Sequence, residues 1–146
     1  FSFYDEQAPI YTRSRYLPPT KLLDAHVSES MLAEGCILKE CTVKRSVIGL
    51  RSRIDTGCMI ENTLVMGADY YESPSQRVEH GEQGTIPLGV GAHTTISKAI
   101  IDKNARIGRH VRIVNQAHVQ EANQEALVHN QATFFGMMRC SAHSQS

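Results

Sequence analysis

Aliphatic residues recur every five or six positions along two stretches of the chain. They are Leu22, Val27, Leu32, Leu38, Val43, Ile48, Ile54, Ile60 and Val65, then Val90, Ile96, Ile101, Ile107 and Ile113. A helix face would repeat every three or four residues, and a half-buried antiparallel strand every two. A step of six is typical of hexapeptide repeats, in which three short strands and three corners close one triangular coil of about 18 residues. The pattern predicts an all-β fold, a parallel β-helix over residues 22–119, in preference to a β-sandwich of short strands.

A second column of small residues supports this interpretation. Four positions after an aliphatic residue, near the corner of a coil, the side chain is also expected to face the interior, where space is tight. The residues at these positions are Cys36, Thr42, Val47, Ser52, Cys58, Thr94, Ala105, Val111 and Ala117. Two independent columns favour the β-helix over a chance arrangement of aliphatic residues.

Three segments depart from the repeat. Residues 1–21 are rich in aromatic residues and proline, which indicates an extended interdomain linker. Residues 67–88 read as a loop between coils. Residues 120–146 form an atypical tail, either disordered or a cap for the open end of the solenoid through an apolar cluster of Phe134, Phe135, Met137 and Met138. Because the chain begins at Phe1 rather than Met, we expect it to be part of a longer protein.

Composition and charge exclude several classes of partner. The chain has 146 residues, 41% of them hydrophobic, and its 15 Lys and Arg balance 15 Asp and Glu. A balanced charge predicts no nucleic-acid partner, and the apolar runs are too short to cross a membrane. The four cysteines form no CxxC pair and lack nearby histidines at zinc-ligand spacing, so we expect reduced thiols and no metal site.

Candidate chemistry is sparse. No GxxxxGK[ST] or GxSxG motif is present. His80, His93 and His110 are possible general bases, although solvated surface histidines are the simpler interpretation. Arg13 and Arg15 alternate in the linker and would project to one side of an extended chain. A further basic group in the later repeats is either a solvated face or a site for a phosphorylated or carboxylated ligand: Lys98, Lys103, Arg106, Arg109 and Arg112.

Several segments resemble ADP-glucose pyrophosphorylases (glucose-1-phosphate adenylyltransferases) of plants, algae and cyanobacteria. They are FYDEQAPIYTRSRYLPPTK (3–21), RSVIGLRSRID (45–55), NTLVMGADYYE (62–72), IPLGVGAHTTISKAIIDKNARIG (86–108) and NQAHVQEA (115–122). The resemblance implies a left-handed parallel β-helix that follows an N-terminal catalytic domain in a tetrameric enzyme. That enzyme makes ADP-glucose and pyrophosphate from ATP and glucose 1-phosphate. Catalytic residues and Mg-ATP would belong to the catalytic domain, so neither catalytic residues nor a cofactor are expected in this chain.

The same resemblance implies a regulatory role. In the photosynthetic members, 3-phosphoglycerate activates and orthophosphate inhibits at a cleft between the two domains. Lys103 matches an activator-binding lysine of the IIDKN motif, and Arg15, with Arg13 less directly, matches an arginine of the linker. A second activator lysine of the family has no counterpart after residue 122. The expected location is the plastid stroma, or alternatively the cyanobacterial cytoplasm.

Two other functions compete with this one. Hexapeptide-repeat acyltransferases are trimers that place a histidine near acyl-CoA between neighbouring β-helices, and His93 would be that base. A non-catalytic scaffold that only binds partner subunits is the third possibility.

Overall fold

The computed structural model describes residues 14–114, three positions near the start of the chain (5, 7 and 8) and a strand at 133–134. In chain order the elements are β1 (Lys21–Leu23), β2 (His26–Ser28), β3 (Met31–Leu32), β4 (Ile37–Lys39), β5 (Thr42–Lys44), β6 (Val47–Ile48), β7 (Arg53–Ile54), β8 (Met59–Glu61), β9 (Leu64–Val65), α1 (Pro74–Glu82), β10 (Gly89–Val90), β11 (Thr95–Ser97), β12 (Ile100–Ile101), β13 (Arg106–Ile107), β14 (Arg112–Val114) and β15 (Thr133–Phe134).

These strands form three parallel sheets that wrap around one axis. Sheet 1 has the order β1-β4-β7-β10-β13, sheet 2 the order β15-β14-β11-β8-β5-β2, and sheet 3 the order β12-β9-β6-β3. The chain passes from sheet 1 to sheet 2 at a first corner, to sheet 3 at a second corner and back to sheet 1 at a third corner. Every third strand therefore pairs with its counterpart in the next coil, which confirms the predicted parallel β-helix.

The coils are slightly shorter than the expected length of about 18 residues. Leu22 pairs with Leu38 and Leu38 with Ile54, so the first two coils on sheet 1 are two positions short of that length, whereas Val43 pairs with Ile60 on sheet 2, one position short. The difference arises because several strand-to-strand steps are five positions long instead of six. Such tight corners are possible because one residue at each takes a positive φ. The non-glycine examples among the described residues are Asp24, Glu29, Glu40, Arg45, Arg51, Asn62, His93, Lys98, Asn104 and His110.

Backbone hydrogen bonds hold these left-handed residues in place. At the second corner, Arg45 N donates to Ser28 O, Asn62 N to Lys44 O and Lys98 N to Glu61 O, each at 3.1 Å. The corner residues thus join the ladder that connects the coils. This ladder offsets the conformational cost, of the order of 1 kcal/mol each, that a non-glycine residue bears at positive φ.

The core is a stack of aliphatic side chains, one from each strand of the inner coils. Leu38, Val43, Ile48, Ile54, Ile60 and Ile96 are all completely buried. The aliphatic residues of the later strands β12, β13 and β14, namely Ile101, Ile107 and Ile113, are at most 3% exposed. Aliphatic residues that recur in sequence therefore meet in space, as the repeat predicts.

The small-residue column is offset from its predicted position. Thr42 and Val47 are half-buried, whereas Cys41 and Ser46 are 3% and 4% exposed, so the prediction was wrong at these two positions. The buried small residue lies two positions before an aliphatic residue. The predicted position, four residues after the preceding aliphatic residue, coincides with this one only where two successive aliphatic residues are six positions apart. Ala117 lies outside the described residues.

Residues 67–88 leave the solenoid at the third corner and return to it without disturbing its register. Val90, after this insertion, pairs with Ile54 of the preceding coil. The predicted loop contains the nine-residue helix α1, which the sequence analysis did not anticipate. Helix α1 is too short to cross a membrane, and no other segment of the described chain forms a helix that could.

The predicted tail falls almost wholly outside the described residues. Its one described part is the backbone of β15, which pairs in parallel with β14 as a further rung of sheet 2.

Replacing Ile60 with alanine tests the stacked core. Ile60 is fully buried, and its neighbour Met59, in the same strand, is 53% exposed. We expect Ile60→Ala to lower the free energy of unfolding by about 3 kcal/mol, because it removes buried methyl groups and leaves a cavity. Met59→Ala is the matched control and should cost well under half as much in urea denaturation. Equal losses for the two variants would contradict the inward orientation of Ile60.

The buried thiols give the fold a pH dependence at alkaline pH. Burial raises the pKa of the Cys41 thiol from an ordinary value near 9 to about 11, and the adjacent Cys58 adds to the rise. Between these two values the unfolded chain releases this proton while the folded chain retains it, so stability falls as the pH rises. We expect Cys41→Ala to reduce the slope of unfolding free energy against pH between about 9 and 11. An unchanged slope would show that other groups cause it.

Candidate functional site

The third corner brings Lys103 next to the insertion. Lys103 lies between β12 and β13, and its Nζ is 2.8 Å from Oδ1 of Asp69, near the start of the insertion at Gly67. Asn104 Nδ2 donates to the other oxygen of Asp69 at 2.9 Å, and Asp69 N donates back to Asn104 Oδ1 at the same distance. Asp69 is therefore held by a reciprocal pair of hydrogen bonds in addition to the ion pair.

These contacts keep Asp69 ionised. Hydrogen bonds from Lys103 and then from Asn104 hold the pKa of the Asp69 carboxyl below its usual range. The Asp69 and Lys103 side chains are 54% and 49% exposed, so the pair is in contact with solvent. A soluble anion has access to Lys103 at this position.

Two tyrosines attach the insertion to earlier and later coils. The Tyr71 hydroxyl donates to Gly35 O at 2.9 Å, and the Arg51 guanidinium lies 5.8 Å from the centre of the Tyr71 ring. Gly35 has a φ of +74°, and a Cβ there would collide with the Tyr71 hydroxyl. Both the backbone conformation and the close contact therefore require glycine. Arg106 Nη2 donates to the Tyr70 hydroxyl at 3.3 Å on the opposite side.

A buried carboxylate anchors the centre of the insertion. The Glu72 side chain is 3% exposed, and its Oε1 lies 2.6 Å from Arg106 Nη1 and 3.5 Å from His80 Nε2. Its other oxygen accepts a hydrogen bond of 2.8 Å from Leu88 N and lies 3.6 Å from Arg77 Nη1. The contact between Oε1 and the Arg106 guanidinium is an ion pair. Glu72, near the start of the insertion, thus contacts both the end of the insertion at Leu88 and the following coil at Arg106.

Arg77 of α1 extends the same ion network to an earlier coil. Its Nη2 lies 3.3 Å from Asp55 Oδ2, and its Nη1 donates to Leu88 O at 2.9 Å. Burial lowers the pKa of the Arg77 guanidinium, with a contribution from Arg53, while Asp55 and Glu72 oppose that change. The network compensates buried charge and fastens α1 onto sheet 1.

A crevice of about 70 Å³ remains between the insertion and sheet 1. Its walls include Ile37, Val90 and Ala105 of the solenoid, and Tyr71 and Leu88 of the insertion. Pockets that hold organic ligands usually have volumes of several hundred cubic ångströms. The crevice is therefore a packing gap under the insertion, and the exposed corner around Lys103 is the stronger candidate for ligand binding.

The linker contacts the corner that carries Lys103, but in a different coil. Leu17, two residues after Arg15, packs beside Gly35 at the third corner, and Arg15 itself is exposed. The third-corner residues of successive coils are Gly35, Arg51, Gly67 and Asn104. Three coil spacings, about 14 Å, therefore separate the linker's contact from Lys103. Arg13 lies outside the described residues.

The basic residues of the later repeats do not form a cluster. Lys98 lies at the second corner, Arg109 at the first, and Arg112 on sheet 2, while Arg106 is occupied by the insertion. Successive strands belong to three different sheets, so side chains close in sequence face different directions. Lys103 is the member of this group that combines exposure with a position on the linker's corner.

The candidate histidines have unequal environments. His93 and His110 are exposed at the first corner, and their rings stack with centroids 5.2 Å apart. His80 faces Glu72 inside the insertion. Among the described residues, no group of three or more His, Cys, Asp or Glu side chains is arranged to hold a metal ion.

Sequence reasoning missed two carboxylates of this corner. Asp69 and Glu72 lie in the segment MGADYYE, which carried the family resemblance without any role for its acidic residues. Their partners, Lys103 and Arg106, come after a helix and three intervening strands, so no local spacing signals the contacts. The only available signal was a pair of acidic residues at the start of an insertion in a repeat array.

Comparison with protein families settles the relationship of this solenoid to known domains. A family model described as the GLGC left-handed parallel beta-helix domain matches residues 15–132. The chain belongs to this family. The GLGC β-helix is the C-terminal domain of ADP-glucose pyrophosphorylase, a nucleotidyltransferase, and the match also gives the hand of the solenoid. Both the fold and the family expected from the sequence are confirmed.

Glu72→Gln tests whether the ion network fastens the insertion of this GLGC domain. The amide retains the shape of the side chain but leaves Arg106, Arg77 and His80 without their buried anion. Breaking a buried ion pair costs about 3 kcal/mol, so we expect trypsin cleavage at Arg77 to accelerate at least roughly tenfold through local opening.

Glu79→Gln removes the same charge from the exposed face of α1 and is the control. Limited proteolysis followed by mass spectrometry would measure both variants. Equal cleavage rates would mean that Glu72 is not the anchor.

Proposed function

We propose that this chain is the regulatory and oligomerisation part of a glucose-1-phosphate adenylyltransferase. The enzyme converts ATP and glucose 1-phosphate to ADP-glucose and pyrophosphate for starch or glycogen synthesis. Catalysis, with its Mg-ATP, belongs to a separate N-terminal domain. The membership of the chain in the GLGC β-helix family supports this assignment at the level of the domain.

The proposed effectors are 3-phosphoglycerate as activator and orthophosphate as inhibitor, with Lys103 as the principal cation of their site. The observation that supports this role is the exposed side chain of Lys103, on the same corner that the linker contacts. A phosphate dianion that bound there would contact Lys103, and a linker arginine, Arg15 or Arg13, would attract it from further away, because the linker meets this corner about 14 Å from Lys103. Such a ligand would bias the position of the catalytic domain relative to the solenoid, which is how a binding site regulates a distant reaction.

A surface suited to assembly supports the proposed oligomerisation. The first coil exposes Leu22 and Leu23, which are 49% and 39% accessible, and β1 pairs on one side only, with β4, among the described strands. An exposed edge with apolar side chains is a natural contact for another domain or subunit. In the proposed tetramer, the catalytic domain or a neighbouring subunit covers this end.

Lys103→Gln, in an enzyme that joins this chain to its catalytic domain, tests the proposed effector site. We expect the concentration of 3-phosphoglycerate for half-maximal activation to rise by roughly tenfold or more, because a charge-assisted contact to the phosphate is lost. The rate without activator should not change. ADP-glucose synthesis measured against activator concentration gives both values.

Lys98→Gln is the matched control, because Lys98 is an exposed lysine one corner earlier in the chain. An activation curve for Lys103→Gln that superimposes on that of Lys98→Gln would overturn the proposed role. The isolated chain should produce no ADP-glucose in the same assay.

A further inference from the structure

The Asp69–Lys103 ion pair has one rigid and one adaptable partner. Asp69 is fixed through its backbone as well as its carboxylate, because Asp69 N and Asn104 Oδ1 are hydrogen bonded at 2.9 Å. Asn104 is itself fixed at φ +57°, with its N–H donating to Gly67 O at 3.0 Å. Lys103 reaches Asp69 through a flexible four-carbon side chain, so the lysine is the partner that can move.

The backbone before Asp69 leaves little freedom for the carboxylate. Gly67 has a φ of +91°, and a Cβ there would collide with backbone atoms of Leu50 in the preceding coil. Ala68 N donates to Leu50 O at 2.8 Å, and Ala68 O accepts a hydrogen bond of 3.2 Å from Arg51. The insertion therefore leaves the solenoid along a fixed path that delivers Asp69 to the Lys103 position.

An anion that binds Lys103 lies close to the Asp69 carboxylate. A phosphate within hydrogen-bond distance of the ammonium group either draws Lys103 away from Asp69 or shares the lysine and lies close to a like charge. Either arrangement reduces the gain from binding. Asp69 stays compensated when Lys103 moves, because Asn104 continues to donate to it and the Arg51 guanidinium also stabilises its ionised form.

We propose that Asp69 is a built-in competitor of the effector anion, a carboxylate that occupies Lys103 in the free domain and weakens its affinity for phosphate groups. The inference rests on the proposed function, since it assumes that Lys103 binds an anionic effector. Asp69 then sets the affinity for the effector without contacting it. The pair is solvent-exposed, and exposed ion pairs change binding equilibria by roughly two- to fivefold at low ionic strength.

Asp69→Asn in the complete 146-residue chain tests this competition. The amide can still accept the hydrogen bond from Asn104 but no longer attracts the ammonium group. We expect the affinity for orthophosphate to rise roughly two- to fivefold at about 20 mM ionic strength, and the gain to disappear in about 0.5 M sodium chloride, where charges are screened. Amide chemical shifts of residues 102–104 during a phosphate titration would give the dissociation constants, and 3-phosphoglycerate should show the same gain.

Asp24→Asn is the control for net charge, because Asp24 is an exposed carboxylate at the first corner of the first coil. An affinity for Asp69→Asn equal to that of Asp24→Asn would overturn the competition. A double-mutant cycle with Lys103→Gln completes the design, because the gain from Asp69→Asn must vanish when the lysine is absent.

A second readout needs no effector. The rate at which acetic anhydride modifies Lys103, measured by peptide mass spectrometry, should rise in Asp69→Asn and stay constant in Asp24→Asn. If this rate rises but no variant binds phosphate through Lys103, the proposed effector function fails, and the competition inference, which depends on it, fails too. If phosphate binding depends on Lys103 but neither affinity nor reactivity responds to Asp69→Asn, the competition inference alone fails.

Discussion

The register between coils is the constraint on which the whole structure depends. A coil consists of three short strands and directs one aliphatic side chain per strand toward the axis, so an isolated coil has no core. Stacked in register, the same side chains bury one another completely, and every strand gains hydrogen-bonded neighbours. The positive φ values at the corners are tolerated because this ladder continues through them. Packing, corner geometry and the position of the insertion all follow from it.

The sequence predicted the solenoid because its signal is periodic and local. The aliphatic residues from Leu22 to Ile113 lie where the repeat places them, and the family expected from the motifs was confirmed. The small-residue column failed at Thr42 and Val47 because the steps to the next aliphatic residue there are five positions long, and the prediction assumed six. Helix α1 was missed because its stability comes from contacts such as Arg77 with Asp55, and not from an apolar periodicity of its own.

The candidate site was only partly predictable, because its contacts join residues that lie far apart in the chain. Lys103 was identified through a motif, and the structure places its side chain half exposed at the third corner. Its counter-ion Asp69 lies 34 residues earlier, and only the winding of the chain brings them together. The predicted group of basic residues dispersed over different faces because proximity in sequence means little on a solenoid. Arg13 and most of the tail lie outside the described residues, so predictions about them remain predictions.

The insertion begins and ends at one corner, and the strands on either side pair as though it were absent. Val90 continues the rung of Ile54 even though the whole insertion separates them in the chain. The solenoid and the insertion are therefore structurally independent in this respect: the length of residues 67–88 can change while the pairing between coils stays the same. An exchange of this surface segment would therefore alter the proposed effector site without altering the interior.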